Sequence, residues 1–196
     1  MSGSLFDGKG ARKYLTARER SAFIRAACRA EGEIATFCLT LALTGARISE
    51  VLAITRERID ISNQTVVFET LKRRKRGIFR EVPIPSKLIA LLRQVHDLDT
   101  LGRDPNERIW KWGRTTAWKR VRALMKIAKV PTRLSTPRSA RHAFGVNAVQ
   151  NSVSLNVVQR WMGHARIETT TIYTDVIGSE ERALARRTWR GLERDL

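Results

Sequence analysis

The spacing of apolar and polar residues predicts a mostly helical chain with one small antiparallel hairpin. Thr16 to Glu19 spells a capping box, TARE, which opens a helix running toward Ala30. A second helix covers Glu33 to Leu43, and Gly45 ends it. RISEVLAI, residues 47–54, resumes as a short helix. The β-branched and aromatic run TVVFETL, residues 65–71, predicts a strand, and IFREVPI, residues 78–84, predicts its partner. RRKRG forms the turn between them. Ser86 starts another helix, SKLIALLRQVHDL, and residues 98–108 read as a polar loop. Thr115 to Lys129 is a basic helix with an apolar stripe at Trp118, Val121, Leu124 and Met125. Pro131 and Pro137 bracket a loop. Helical patterns follow at 138–150, 155–162, 168–174 and 179–193.

Length and composition narrow the class. A chain of 196 residues fits one or two domains, with one favoured, and 42% hydrophobic residues suffice for a core. No stretch approaches the roughly 18 consecutive apolar residues of a membrane helix. Met1 to Lys13 lacks the apolar centre of a signal peptide and reads as a loose leader. A soluble, cytoplasmic protein is expected. Cys28 and Cys38 both lie in apolar helix-like runs, so two buried thiols are expected rather than a disulfide. With no CxxC and no tight Cys/His cluster, zinc is not expected. Neither GxGxxG nor GxxxxGK[ST] occurs, which argues against an ATP-driven motor or a kinase.

Charge changes the picture. Lys and Arg number 37 against 19 Asp and Glu, a net +18, which points to a polyanionic partner, nucleic acid first. Lys72, Arg73, Arg74, Lys75 and Arg76 crowd the hairpin turn. So basic a tip suits phosphate contacts along a DNA groove, against the plainer reading of a solvated sheet edge.

Four segments carry candidate chemistry. In TGARISE, residues 44–50, Arg47 follows a helix-ending glycine and can grip a phosphate. The hairpin, residues 66–82, is the second. In TPRSARHAF, residues 136–144, Arg138 and Arg141 share a helix face, while His142 stands about 100° further round and is expected to point elsewhere. In WMGHARIETTTIYTD, residues 161–175, Gly163 ends a helix, His164 follows, and a new helix carries Tyr173. Taken singly, a tyrosine on a helix is a packing residue and a histidine after a helix is a cap.

Together these segments resemble the tyrosine recombinase, or phage-integrase, family. Its marks are an Arg in a TGxRxxE context, a hairpin Lys, an HxxRH motif, an LGH motif and a Tyr nine positions after that His. TGARISE supplies Arg47 and Glu50, RSARH supplies Arg141, MGH supplies His164, and Tyr173 stands nine positions on. Arg138 occupies the place of the usual His. A neutral imidazole there can accept a proton, whereas an Arg can only hold a phosphate oxygen, the role expected here.

The resemblance implies an α+β catalytic domain over residues 14–196, with the usual N-terminal DNA-clamping domain absent. It implies a site-specific recombinase acting on double-stranded DNA as a tetramer, without metal or other cofactor. Arg47, Arg141 and Arg138 would clamp the phosphate and His164 would bond it. Tyr173 would attack, with nearby cations favouring its phenolate. Lys72 would protonate the leaving 5′-hydroxyl, with Lys75 as the alternative. The segment after Tyr173 would dock on a neighbouring protomer or pack back on its own domain. Two rivals are a type IB topoisomerase and a DNA-binding regulator without activity, the latter favoured by Arg138.

Overall fold

The structure is a computed structural model that describes residues 4–70 and 77–175. The basic turn 72–76 and the helix expected at 179–193 lie outside the described residues.

Helix α1 (Ala17–Cys28) opens on the capping box read from the sequence: the Thr16 side chain accepts from the Glu19 N–H, and the Glu19 carboxylate accepts from the Thr16 N–H. Its buried face is Phe23 and Ala27. Cys28, about 100° round from Ala27, is exposed, so the expectation of two buried thiols holds for Cys38 alone. Helix α2 (Gly32–Thr44) is the central element. Almost every residue from Ala35 to Thr44 is buried, and it packs against α1, α4 (Ser86–His96) and α6 (Pro137–Gln150). Gly45 ends it in the left-handed conformation, φ 63°, and α3 (Ile48–Leu52) starts three residues later.

The two expected strands pair, a little shorter than read. Strands β2 (Thr65–Glu69) and β3 (Phe79–Pro83) pair antiparallel, with Val66 opposite Val82 and Phe68 opposite Arg80. A two-residue strand, β1 (Ile59–Asp60), which the sequence did not suggest, adds to the free edge of β2. The inward positions are Val66, Phe68, Val82 and, unexpectedly, Arg80.

Helix α5 (Arg114–Ile127) buries Ala117, Val121, Leu124 and Met125. Trp118 differs from the expected stripe. It is partly exposed, and the Arg122 guanidinium lies 5.1 Å above its ring. The main core centres on Phe37, whose ring meets Trp110 edge-on at 5.3 Å. Full burial of such a ring stabilises by roughly 1.5–3 kcal/mol.

A second, smaller core lies under α6, α7 (Leu155–Met162) and α8 (Glu168–Thr171). It contains Leu5, Phe144, Val158, Met162, Ile172 and Tyr173. Leu5 is fully buried there, and Phe6 bridges to Arg12, so the segment read as a loose leader is anchored by one apolar side chain. No helix among the described residues is long and apolar enough to cross a membrane.

Candidate active site

Three chain reversals deliver the polar groups to one place. The left-handed turn at Gly45 puts Arg47 at the head of α3. Thr136 caps α6 by accepting from the Ser139 N–H, and Pro137 fills the first helical position. That fixes the phase of Arg138, Arg141 and His142. Gly163, at φ 64°, ends α7 and sets His164. All five line a cleft of about 560 Å³, together with Arg114, Trp118 and Tyr173.

Arg47 is held from below. The Glu50 carboxylate accepts from its backbone N–H at 2.8 Å and from Nη1 at 2.7 Å. Glu50 also accepts from Nη2 of Arg80 at 2.7 Å, and both of those side chains are almost fully buried. The other Arg80 nitrogens donate to the Trp161 carbonyl and the Thr70 hydroxyl. Arg80 is thus a strut between β3, α3 and the end of α7. Burial alone would push the Glu50 carboxyl up, but Arg80 and Arg47 together hold it below the usual glutamate value.

Arg141 is buried and donates from its two Nη atoms to the carbonyls of Gly45 and Met162, at 2.6 and 2.7 Å. It joins the ends of α2 and α7 and uses two of its five N–H donors to do so. Burial, then the neighbouring Arg47, lowers it to about 10, which leaves it a cation at neutral pH.

The histidines are neutral donors or acceptors. Burial first, then Arg141 and Arg47, pushes His164 down to about 3. Its Nδ1 lies 2.9 Å from the Thr170 hydroxyl, leaving Nε2 for a substrate oxygen. His142, expected to point away, lies in the site. Its Nδ1 is 3.3 Å from the Tyr173 hydroxyl, and Arg138 donates from Nε to its Nε2 at 3.3 Å. The signal was present in the spacing: positions 138 and 142 are one helical turn apart, so Arg138 sits between Arg141 and His142 on one face. Burial holds His142 near about 4.

Tyr173 is 1% exposed and lies in a short 3₁₀ turn, Ile172–Asp175, rather than on a continuous helix. Its ring stacks on His164 at 17° and rests on Gly145, where an added Cβ would stand 2.5 Å from Cζ. Burial pushes the phenol up to about 12, against the opposing pull of Arg141, Arg47 and Arg138. The expectation that the cations favour the phenolate is therefore corrected for the free protein: they reduce the effect of burial without overcoming it.

Arg47, Arg138, Arg141, His164 and Tyr173 thus converge, as the sequence suggested, and His142 joins them. Lys72, Lys75 and the basic residues Arg73, Arg74 and Arg76 lie outside the described residues. The sequence reading missed Arg80, although a charged residue in the inward phase of an otherwise apolar strand is a legible sign of a buried ion pair. Four guanidinia, two neutral imidazoles and a phenol around one opening suit a tetrahedral phosphate with charge on its oxygens.

The phage integrase family model matches residues 13–179. The tyrosine recombinase XerD of Pasteurella multocida (strain Pm70) is 31% identical over 142 residues, 68% of this chain and 46% of the relative. The chain spans about half the length of the curated relatives it matches. Among solved structures, the XerH site-specific recombinase bound to palindromic difH substrate superposes with a TM-score of 0.77 at 20% identity, covering 91% of this chain and 53% of that one. The catalytic domain of bacteriophage HP1 integrase superposes at 0.60 with 20% identity, covering 88% and 93%. The match to the family model spans the whole cleft, from Arg47 to Tyr173, and the chain belongs to the phage integrase family.

Proposed function

We propose that this chain is the catalytic domain of a site-specific DNA recombinase that cuts and rejoins double-stranded DNA through a 3′-phosphotyrosine. The observation that carries the reading is the Tyr173 hydroxyl at the cleft where Arg47, Arg141 and His164 converge. In the proposed step the Tyr173 hydroxyl gives up its proton to water, and its oxygen forms a bond to phosphorus as the bond from phosphorus to the 5′ oxygen breaks. Arg47, Arg141 and Arg138 stabilise the charge on the non-bridging oxygens, and His164 donates to one of them through Nε2. The leaving 5′ oxygen takes a proton, which the family resemblance assigns to Lys72, or to Lys75. The bond energy is kept in the phosphotyrosine, so a 5′-hydroxyl of another strand can reverse the step without ATP. The reading assigns no cofactor, places the protein with DNA in the cytoplasm, and expects a tetramer on paired sites.

The test uses a pool of nicked duplexes with randomised sequence, in which a cut strand loses its 5′-hydroxyl fragment and cannot religate. The enzyme traps itself, and the adduct survives detergent. Binding without any adduct across the pool would favour the DNA-binding regulator. Adducts accompanied by plasmid relaxation, but without exchange between two captured sites, would favour a topoisomerase.

Two further results are expected. Binding should weaken linearly in log affinity against log salt, because phosphate contacts release counterions; a flat response in a titration from low to moderate salt contradicts the charge argument. Gly145→Ala should retain the fold, since alanine favours a helix interior. Its methyl must displace the Tyr173 ring, so adduct formation should fall on the order of 100-fold, as for a roughly 1 Å misplacement of a reacting group. Adduct formation at the wild-type rate would show that the ring position is not critical.

A further inference from the structure

Arg138 stands where the resemblance implies a histidine, and its contact with His142 gives it work that a phosphate clamp does not require. Its Nε donates to Nε2 of His142 at 3.3 Å. A guanidinium has no lone pair to offer, so Nε2 of His142 must be the acceptor. The proton of the neutral ring then sits on Nδ1, 3.3 Å from the Tyr173 oxygen. In that tautomer Nδ1 can donate to the phenol oxygen but cannot take its proton. The donors point one way, from the guanidinium through the imidazole to the nucleophile. Distances of this length in a substrate-free site leave room to tighten when the reacting group binds.

We propose that Arg138 and His142 form a one-way hydrogen-bond relay in which Arg138 fixes His142 as an Nδ1–H donor and His142 stabilises the phenolate of Tyr173. The proposal rests on the reading of Tyr173 as the nucleophile. It assigns Arg138 a positioning role exerted through His142, in addition to any contact with phosphate. It also explains how an arginine serves at this position: the proton-accepting duty of a histidine is replaced by a donor that favours the charged nucleophile. His142 stays neutral through the physiological range, so the tautomer and not the charge of the ring is what Arg138 controls.

The other groups around the relay are fixed in number and kind. Arg47 from α3 and Arg141 from α6 face Tyr173 with Arg138, and His164 stacks on its ring. Arg141 on its own helix and Lys13 from the N-terminal segment also face His142. The guanidinia and the Lys13 ammonium cannot accept a hydrogen bond, and Nδ1 of His164 is engaged with the Thr170 hydroxyl, so the relay direction depends on the Arg138 contact.

Nitrogen-15 NMR of the histidine rings reads the tautomer directly. The chain has three histidines, and the His142 signals are those lost in His142→Asn. The wild type should show His142 as Nδ1–H, and Arg138→Ala should move it toward Nε2–H. Arg138 is exposed in the first turn of α6, so its truncation leaves the fold in place. On the nicked pool, Arg138→Ala should shift the pH of half-maximal adduct formation upward by about one unit, a tenfold loss at fixed pH. In a His142→Asn background an amide N–H can donate to Tyr173 without help from Arg138, so the same truncation should move the pH midpoint by less, leaving only the direct pull of the Arg138 cation on the phenol. A wild-type His142 in the Nε2–H form overturns the relay, as does an equal midpoint shift from Arg138→Ala in both backgrounds. The NMR result needs no DNA chemistry, so a wild type that forms no adduct sinks the recombinase reading while the relay is still judged on the tautomer.

Discussion

Tyr173→Phe is expected to bind DNA as tightly as the wild type and to form no covalent adduct with the nicked pool. The change removes one oxygen atom. The ring keeps its place, because what holds it is apolar: Gly145 beneath it, His164 stacked at 17°, and Leu5, Phe144 and Ile172 in the same small core. The only hydrogen bond found for its hydroxyl among the described residues is to His142 Nδ1. Losing one neutral hydrogen bond costs about 1 kcal/mol. Affinity rests on the cations, which are untouched. The nucleophile alone is gone, so rate and binding separate, and a residual adduct in Tyr173→Phe would mean that another side chain attacks. Adduct formation and filter binding on the same preparation measure both halves of the prediction.

The second large effect is on stability. Glu50→Ala is expected to destabilise the fold by about 3–5 kcal/mol, because it leaves the buried Arg80 cation without its carboxylate and frees Arg47. For a domain of this size that corresponds to roughly 6–20 °C in Tm. Glu50→Gln, which keeps an acceptor oxygen, should lose less. A fall below about 1 kcal/mol would show that the Glu50–Arg80 pair is not a strut.

The same chemistry predicts acid sensitivity. His96, His142 and His164 all titrate below their ordinary value in the folded chain, burial being the largest cause in each. The unfolded chain therefore takes up protons first as pH falls below about 6.5, and stability declines from there toward about 4 and 3, where His142 and His164 would protonate in place. Glu50 adds to the decline below the ordinary glutamate value, since its folded carboxyl is held lower still. Denaturant midpoints taken between pH 7 and pH 4 should fall steadily; a constant midpoint would contradict the burial of these groups.

Much of the site was legible in the sequence because glycines mark its corners. Gly45 and Gly163 break helices, and Arg47 and His164 follow them, so chain order alone placed those two side chains at helix-ending turns. The spacing of Arg138 and Arg141 gave the shared face. What could not be read was depth. Tyr173 is at once a member of an apolar core and the proposed nucleophile, and its burial reverses the expected direction of its titration. His142 was misplaced because its angle was taken from Arg141 alone, whereas Arg138 lies between the two. Arg80 lies in the inward phase of its strand, but the pattern alone does not name the Glu50 carboxylate that lets a charge be buried there. Leu5 and Cys28 were misjudged for one reason: local composition does not say which tertiary surface a residue meets.

The account turns on Tyr173 as the atom donor to phosphorus. The direct measurement is to denature the trapped adduct, digest protein and DNA, and locate the nucleotide by mass spectrometry. The account predicts a nucleotide joined by its 3′-phosphate to the peptide containing Tyr173, and none on the peptide containing Tyr14, the other tyrosine of the chain. A nucleotide attached through its 5′-phosphate, or carried by any residue other than Tyr173, would contradict it.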